Sequence, residues 1–399
     1  MLPFDRRSMD MNKYENIPLI TKEEVYDGLK TCTNQILKIL PEFTDKFQSA
    51  NSENLFYQSM ENRGWTNGFW TGEVWLAYEF TGQECLKEAA LVQCDSFYER
   101  ITKRISVLSH DMGFLYTLSC VAAYKLTGNE KAKEAALLAA DNLITMFRTK
   151  GNFIQSVNQP ENKQEYRMIV DTLLNLPLLY WASEVTDDAK YRDIAVTHFR
   201  TTQKILLRED GSVSQAARFD NETGGHLLNY TRQGYSDEST WSRGQAWAVY
   251  GPAIAYKYTG LRECKDMFFK TAPYFMEHLP EDMVAYFDLW FTEGDKWPRD
   301  SSAAAIATCG MLEMAKYLKT DEAAYYVSCA KKIMKSLYNK YMVRDFNLSN
   351  GLLLHGTYCC RTDYNLMIRD IGRDECTSFG DYFFMEALMR LYKDWEMYW

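Results

Sequence analysis

Asp171 lies in the middle of a strongly apolar stretch that runs from Arg167 to Trp181. A carboxylate in apolar surroundings is costly to desolvate unless it is paired, capped or protonated. Desolvation also raises the pKa of a carboxyl group, which suits a residue that must donate a proton and later accept one. We therefore expect Asp171 to cap the helix that follows it and to have a raised pKa.

Residues that could bind a sugar or transfer a proton recur at the starts of the other apolar segments. They are Trp65, Trp70, His110, Asp111, Trp241, Arg243, Trp247, Asp300 and Asp381. Indole rings can stack on the C–H faces of sugars. Two facing carboxyl groups can divide their roles, one ionised and one protonated.

Each of these residues also has a structural explanation. Every aspartate in the set suits an N-cap position. The tryptophans suit a helical core, and His110 could be a buried histidine with satisfied nitrogens. Arg243 is harder to explain in this way, because an arginine at the start of a buried helix needs an anionic partner. Their grouping at segment starts favours a functional site.

The apolar segments belong to an internal repeat. The sequence of residues 77–82 recurs at 123–128 and 255–260, and weaker copies follow at 182–187, 315–321 and 388–394. Each copy ends an apolar segment, and the Thr-Gly pair of the three strong copies suits a helix C-terminus. An amphipathic segment follows each of the first five copies.

Six apolar segments alternate with six amphipathic ones. The apolar segments are 65–80, 111–126, 171–185, 242–258, 300–318 and 380–392, and the amphipathic ones are 21–40, 84–103, 129–147, 188–206, 261–279 and 321–341. Segments that are apolar on all sides are buried helices. The alternation predicts an all-α fold, an (α/α)6 toroid with six inner and six outer helices. Pro177 should kink the third inner helix, and residues 352–358 are a candidate short strand.

Long connections lead from outer to inner helices at about 150–166, 207–241, 280–299 and 342–379. Long loops in a compact domain usually have a function. They all join the rim where the inner helices begin, and helix N-termini favour anions. The sequence therefore predicts a pocket for a small anionic molecule at this rim.

Composition restricts the class of protein. The 399 residues are 46% hydrophobic and have a net charge of −9. We see no basic run, which argues against nucleic acid, and no apolar run near the ~20 residues that span a membrane. The ten cysteines are scattered, as in a reduced cytoplasmic protein. We expect one catalytic domain over residues 1–399, with residues 1–20 as an N-terminal extension.

At the helix starts the chain resembles the unsaturated glucuronyl hydrolases, glycoside hydrolase family 88. The matching stretches are residues 65–72, 110–116, 166–175, 232–247, 298–303 and 395–399. The resemblance implies an (α/α)6 barrel. It also implies a lyase-generated oligosaccharide substrate, such as a chondroitin or hyaluronan disaccharide, with a 4-deoxy-4,5-unsaturated uronic acid at its non-reducing end. Such enzymes hydrate the C4=C5 vinyl ether, and the product opens spontaneously.

Roles follow from the same resemblance. Asp171 would protonate C4 and then activate water for C5, while Asp111 would bind ring hydroxyls and help to keep a proton on Asp171. Gln233, Arg243 and Trp247 match substrate-binding positions. Trp65 or Trp70 would supply the stacking face, and we favour Trp65. No metal or other cofactor is needed.

The chain departs from the family pattern in three places. Gln215 aligns with a pocket histidine of relatives, and Val157 aligns with a tryptophan. The region 359–370 lacks the His-Ser-Gly-Lys-Gly stretch that is associated with a 6-sulfate in some members. Arg361 or Arg369 could take part instead. The reaction class is unaffected, because Asp111 and Asp171 are in place.

Four alternatives fit parts of the sequence. An unsaturated rhamnogalacturonyl hydrolase would use the same barrel and chemistry on pectin fragments. An N-acyl-glucosamine 2-epimerase-like enzyme would need a pair of histidines, and the chain has five scattered ones. A zinc prenyltransferase subunit would need an Asp/Cys/His ligand set. A non-catalytic sugar-binding protein would bind unsaturated disaccharides without consuming their double bond.

Overall fold

The computed structural model describes residues 11–294, 296–365 and 369–399. Within these ranges twelve helices alternate between two layers. The inner helices are α2 (Asn67–Thr81), α4 (Met112–Tyr116 and Ala122–Thr127, joined by a π-helical turn at Thr117–Val121), α6 (Pro177–Thr186), α8 (Ser242–Thr259), α10 (Ser301–Ala315) and α12 (Ser378–Tyr392). The outer helices are α1 (Lys22–Phe43), α3 (Glu84–Thr102), α5 (Glu130–Ile144), α7 (Ala189–Ile205), α9 (Arg262–Glu277) and α11 (Thr320–Ser336).

The two layers differ in burial as the sequence predicts. Every residue of α10 is buried, and α8 is buried over all but its last turn. Outer helices such as α1 and α7 bury one stripe and expose the opposite face to solvent. The inner helices contact one another in succession, and α12 packs against α2. The ring is thereby closed, and the expected (α/α)6 toroid is confirmed.

Three inner helices end at the predicted glycines. Gly82, Gly128 and Gly260 have φ values of 71°, 69° and 64°, a left-handed conformation that glycine adopts without strain. Each donates its N–H to the carbonyl four residues earlier. In the weaker copy at the end of α6, Asp187 takes the left-handed position.

Pro177 begins α6 instead of kinking it. The stretch before it, Val170–Leu174, is a 3-10 helix that contains Asp171. Proline is well tolerated in the first turn of a helix, where its missing N–H would have no intrahelical partner. The predicted kink is therefore wrong, and the third inner helix begins later than the apolar stretch suggests.

Short antiparallel strands occupy the connections and make the loops more ordered than predicted. In the described ranges they are β1 (Phe47–Gln48), β2 (Ser59–Met60), β3 (Phe147–Arg148), β4 (Phe153–Ile154), β5 (Arg167–Ile169), β6 (Ala216–Phe219), β7 (His226–Tyr230), β8 (Gly356–Cys359) and β9 (Ile371–Glu375). The pairs are β1–β2, β3–β4 and β8–β9, and β5–β6–β7 form a three-stranded sheet. The candidate strand at 352–358 overlaps β8 only in part. None of the described helices has both the length and the apolar character to cross a bilayer.

The start of α4 lies against the turn that contains Asp171. A Cβ atom at Gly113 would lie 2.3 Å from the Cα of Asn175. The Asn175 side chain accepts a hydrogen bond from the Phe114 N–H at 2.9 Å, and its amide donates to the carbonyl of Asp171 at 3.4 Å. Only glycine permits this approach, which fixes Asp111 and Asp171 relative to each other.

Substitution of Gly113 by alanine should therefore destabilise the protein by about 1–3 kcal/mol, because the new methyl group would push two backbones apart. The free energy of unfolding, measured with denaturant, tests this expectation. Gly225→Ala is a matched control, since its Cβ would meet only the Thr223 hydroxyl, at 3.3 Å. Equal stability of the two variants would contradict the proposed contact.

Candidate active site

A cavity of about 200 Å³ opens at the rim where the inner helices begin. Its lining combines acids, arginines and aromatic rings: Trp65, Ser109, His110, Asp111, Ser156, Val157, Arg167, Ile169, Asp171, Gln233, Trp241, Arg243, Trp247 and Tyr358. A larger cavity of about 570 Å³ lies elsewhere, between residues 16–18 and 335–340. It contains neither Asp111 nor Asp171. The smaller cavity is the one predicted from the sequence.

His110 stands between the two carboxyl groups. Its Nε2 lies 3.6 Å from Oδ1 of Asp111 and 3.5 Å from Oδ1 of Asp171. Its Nδ1 lies 2.7 Å from the hydroxyl of Thr172. If the hydroxyl donates to Nδ1, the proton on Nε2 faces both carboxyl groups, which is the tautomer that suits two acids. Burial lowers the pKa of His110, which favours the neutral ring.

Both acids hold their protons more tightly than exposed aspartates do. Burial raises the pKa of Asp171 to about 6, although His110 opposes the rise. Burial likewise raises the pKa of Asp111 to about 6, against the hydrogen bond from the Ser109 hydroxyl. Because the charge of Asp111 also raises the pKa of Asp171, the two acids titrate as a pair. The raised pKa expected for Asp171 is present.

None of the four aspartates caps a helix with its side chain. The helical turns that contain or follow Asp111, Asp171 and Asp300 have no side-chain cap hydrogen bond. Thr377, not Asp381, caps α12. The expected capping role of Asp171 is therefore wrong. Its Oδ1 is buried and forms no hydrogen bond among the described residues, and it faces Nε2 of His110 at 3.5 Å.

Arg243 is held by an ion pair, by hydrogen bonds to backbone carbonyls and by contacts with aromatic rings. One terminal nitrogen donates to Asp300 and to the carbonyl of Thr357, and the other donates to the carbonyl of Tyr358 at 2.7 Å. Its guanidinium carbon lies 4.4 Å from the centre of the Trp241 ring and 4.6 Å from that of Phe379. The anionic partner that the sequence requires is Asp300. Hydrogen bonds and ring contacts of this kind make a buried ion pair tolerable.

Three of the four candidate tryptophans, Trp65, Trp241 and Trp247, line the cavity. Trp65 donates its indole N–H to the Tyr358 hydroxyl at 3.1 Å and stacks on Phe379. Trp247 is buried and contacts Phe114, which also contacts Trp65. Trp70 is different. It is fully buried, and its indole N–H donates to the Phe43 carbonyl at the end of α1. Trp70 is thus part of the core between α1 and α2, and the stacking role considered for it is wrong.

The two glutamines form one unit, of which only Gln233 lines the cavity. The Gln215 carbonyl oxygen accepts hydrogen bonds from the Thr231 hydroxyl and from the backbone N–H groups of residues 232 and 233. Its amide donates to the Gln233 side chain at 2.7 Å. Gln233 in turn donates to the carbonyl of Tyr358 at 2.9 Å. Gln215 therefore holds Gln233 in place from behind.

Sequence reasoning did not select Arg167 or Tyr358, although both line the cavity. Arg167 pairs with Glu165 at 2.8 Å and comes four residues before Asp171. Arg167 begins strand β5, whereas the sequence predicts neither helix nor strand for the residues between 166 and 171. Tyr358 comes from the β8–β9 hairpin, far along the chain. No sequence pattern links this tyrosine to Trp65.

The pKa of Asp171 gives a testable dependence of stability on pH. Between about pH 4 and pH 6 the folded state binds this proton more tightly than the unfolded chain, so stability falls as the pH rises. Asp171→Asn removes the ionisable group. We compare the free energy of unfolding of the variant with that of the wild type at each pH. This difference should favour the variant more at pH 7 than at pH 4, by on the order of 2 kcal/mol.

Denaturant unfolding at the two pH values measures this difference. Asp193→Asn, with a side chain 71% exposed, is the control and should show no such change. If Asp171→Asn altered stability equally at both pH values, the carboxyl group would not have a raised pKa.

Comparisons with known proteins identify the family of the chain. The family model of Glycosyl Hydrolase Family 88 matches residues 36–363. The unsaturated chondroitin disaccharide hydrolase of Streptococcus pneumoniae is 42% identical over 97% of this chain and 96% of its own length. The unsaturated glucuronyl hydrolase of Bacillus sp. GL1 is 38% identical over 90% of this chain and 94% of its own.

Solved structures show the same relation. The crystal structure of the unsaturated glucuronyl hydrolase from Streptococcus agalactiae has a TM-score of 0.92 at 41% identity, covering 98% of this chain and 97% of that one. A variant of that enzyme, complexed with dGlcA-GalNAc6S, has a TM-score of 0.85 at 39% identity and covers 98% of each chain. The family match and these identities over nearly the whole chain show that this protein belongs to glycosyl hydrolase family 88, among the unsaturated glucuronyl hydrolases.

Proposed function

We propose that the protein releases a 4-deoxy-4,5-unsaturated uronic acid from the non-reducing end of lyase-generated glycosaminoglycan oligosaccharides. The observation that carries this proposal is the pair of buried, proton-binding acids on either side of His110. Relatives act on unsaturated chondroitin disaccharides, and a structural neighbour binds dGlcA-GalNAc6S. The substrate is a small anionic oligosaccharide.

The reaction is a hydration of the C4=C5 vinyl ether. Protonated Asp171 gives its proton to C4, and the positive charge that develops at C5 is shared with the ring oxygen. A water molecule adds to C5 while the Asp171 carboxylate takes its proton. The resulting hemiketal opens, and a keto acid and the shortened sugar are released. A pKa of about 6 allows both the acid step and the base step near neutral pH.

The other pocket residues bind and orient the sugar. Asp111 binds ring hydroxyls, and its charge, when ionised, favours the protonated form of Asp171. Arg243 and Gln233 meet the polar side of the substrate. Trp65 and Trp247 provide aromatic surface for the faces of the sugar rings. The carboxylate-separation rule that distinguishes retaining from inverting glycosidases does not apply, because no nucleophile attacks the anomeric carbon.

The first test removes each acid. Asp171→Asn should abolish turnover, because an amide cannot transfer the proton, while folding and much of the binding persist. Asp111→Asn should also reduce turnover strongly. Loss of ultraviolet absorbance of the conjugated substrate measures the rate, and Asp193→Asn should retain full activity. Full activity of either active-site variant would contradict the mechanism.

The second test separates glycosaminoglycan from pectin fragments. A panel of lyase-derived disaccharides from chondroitin, hyaluronan and rhamnogalacturonan is followed by the same absorbance. We expect turnover of the glycosaminoglycan disaccharides and little or none of the rhamnogalacturonan product. The reverse preference would favour the pectin enzyme, and binding without loss of absorbance would favour a sugar-binding protein.

The proposal includes the prediction that the enzyme needs no metal. The mechanism uses no metal, although His110, Asp111 and Asp171 can each offer an atom within 4.8 Å of the others. The absence of a metal requirement therefore stays a prediction.

All ten cysteines are free, and nine of them are buried. This supports a reducing, cytoplasmic location.

A further inference from the structure

The sheet β5–β6–β7 presents two arginines side by side. Arg167 in β5 is directly opposite Arg218 in β6, and opposite residues of an antiparallel pair point to the same face. Tyr230 in β7 lies on that face as well, since it pairs with Ala216, two residues from Arg218. The other face carries Met168 and Ala217, which are buried. Like charges in this position repel each other unless an anion lies between or beside them.

The two arginines differ in how they are neutralised. Arg167 is buried, pairs with Glu165 at 2.8 Å and donates to the Tyr230 hydroxyl at 3.3 Å. Arg218 lies over the Tyr230 ring, 5.3 Å from its centre. Its Nε is buried and has no hydrogen-bond partner in the described part of the chain. No carboxylate there forms an ion pair with Arg218. Two arginines and one glutamate leave this face with excess positive charge.

This face continues the wall of the active-site cavity. Arg167 and Ile169 line the cavity and also lie on the face of the sheet that carries the two arginines. Arg218 lies beside Arg167, directly opposite it on the neighbouring strand β6. A bulge between Arg218 and Phe219 interrupts the pairing with β7, and bulges often re-aim side chains beside active sites. A group attached to a sugar in the cavity could therefore reach both arginines.

We infer that Arg218 and Arg167, with Tyr230 beneath them, form an anion-binding subsite for an oxyanion on the sugar next to the unsaturated uronate. This inference rests on the proposed function. The guanidinium group matches both sulfate and carboxylate oxygens and keeps its charge at all relevant pH values. The source is either a sulfate ester on the second sugar or the carboxylate of a third residue. Arg218 determines specificity here, and Asp171 still performs the chemistry.

The test compares sulfated with unsulfated unsaturated chondroitin disaccharides. Arg218→Gln should raise KM for the sulfated disaccharide about tenfold, as expected for one lost charge-assisted hydrogen bond. KM for the unsulfated disaccharide should change less than about twofold, and kcat should be unchanged for both. Arg192→Gln, on the outer helix α7 with a side chain 51% exposed, is the matched control. Added salt should reduce the preference of the wild type.

A tetrasaccharide without sulfate identifies the carboxylate source. If its KM rises in Arg218→Gln while that of the sulfated disaccharide does not, the ligand is the uronate carboxylate of the third residue. Equal effects on every substrate, or no effect on any, would overturn the subsite. Arg218→Lys retains the charge and should lose less selectivity. It also serves if the glutamine variant does not fold.

Binding separates this inference from the proposed function. Titration calorimetry of Asp171→Asn, with and without Arg218→Gln, measures affinity for the same sugars without turnover. A wild type that leaves all these substrates intact would refute the proposed function, and the calorimetric difference would still decide on the subsite. A sulfate preference that is the same with and without Arg218→Gln would overturn it.

Discussion

The contact between Gly113 and Asn175 determines the geometry on which the site depends. At this point the start of α4 touches the turn before α6 with no side chain between them. The Asn175 side chain then connects the two backbone segments by hydrogen bonds with the Phe114 N–H and the Asp171 carbonyl. Two acids on separate helices can share one histidine only because these backbones meet. A buried contact of this kind also limits relative motion, since packed interiors do not deform continuously.

The inner ring handles its buried charges in two ways. Asp300 and Arg243 neutralise each other and use backbone carbonyls and a serine hydroxyl for further hydrogen bonds. Asp381 accepts from the Tyr57 hydroxyl and from two backbone N–H groups. Asp171, in contrast, has one buried oxygen that forms no hydrogen bond with the described residues. Asp300 and Asp381 are thus satisfied by protein groups, whereas Oδ1 of Asp171, for which we propose proton transfer, has only the longer approach of His110 at 3.5 Å.

The helical ring could be predicted from sequence because its signal is local and repeated. Each Thr-Gly copy marks a helix end. The burial of the inner helices can be predicted from their own apolar residues, without knowledge of what they pack against. Asp111, Asp171 and Arg243 were found because charges stand out in apolar surroundings. The stacking role predicted for Trp70 is wrong because the local sequence does not tell whether an indole packs on another helix, as Trp70 does on Phe43, or faces a cavity. The capping expectation failed since the stretch around Asp171 forms a strand and a 3-10 turn before its helix begins.

The parts that sequence did not predict are the walls of the cavity. Arg167 and Tyr358 come from strands β5 and β8, and Gln233 comes from the bend that follows β7. Each is positioned by a hydrogen bond to a residue far along the chain. Such long-range pairings leave no period in the sequence. The two buried acids lie at or just before the starts of inner helices, whereas Arg167, Gln233 and Tyr358 of the cavity wall lie in the connections. This division allows loop residues such as Val157 or Gln215 to differ from the family pattern while the two acids stay in place, because the backbone contact that fixes the acids lies beneath the loops.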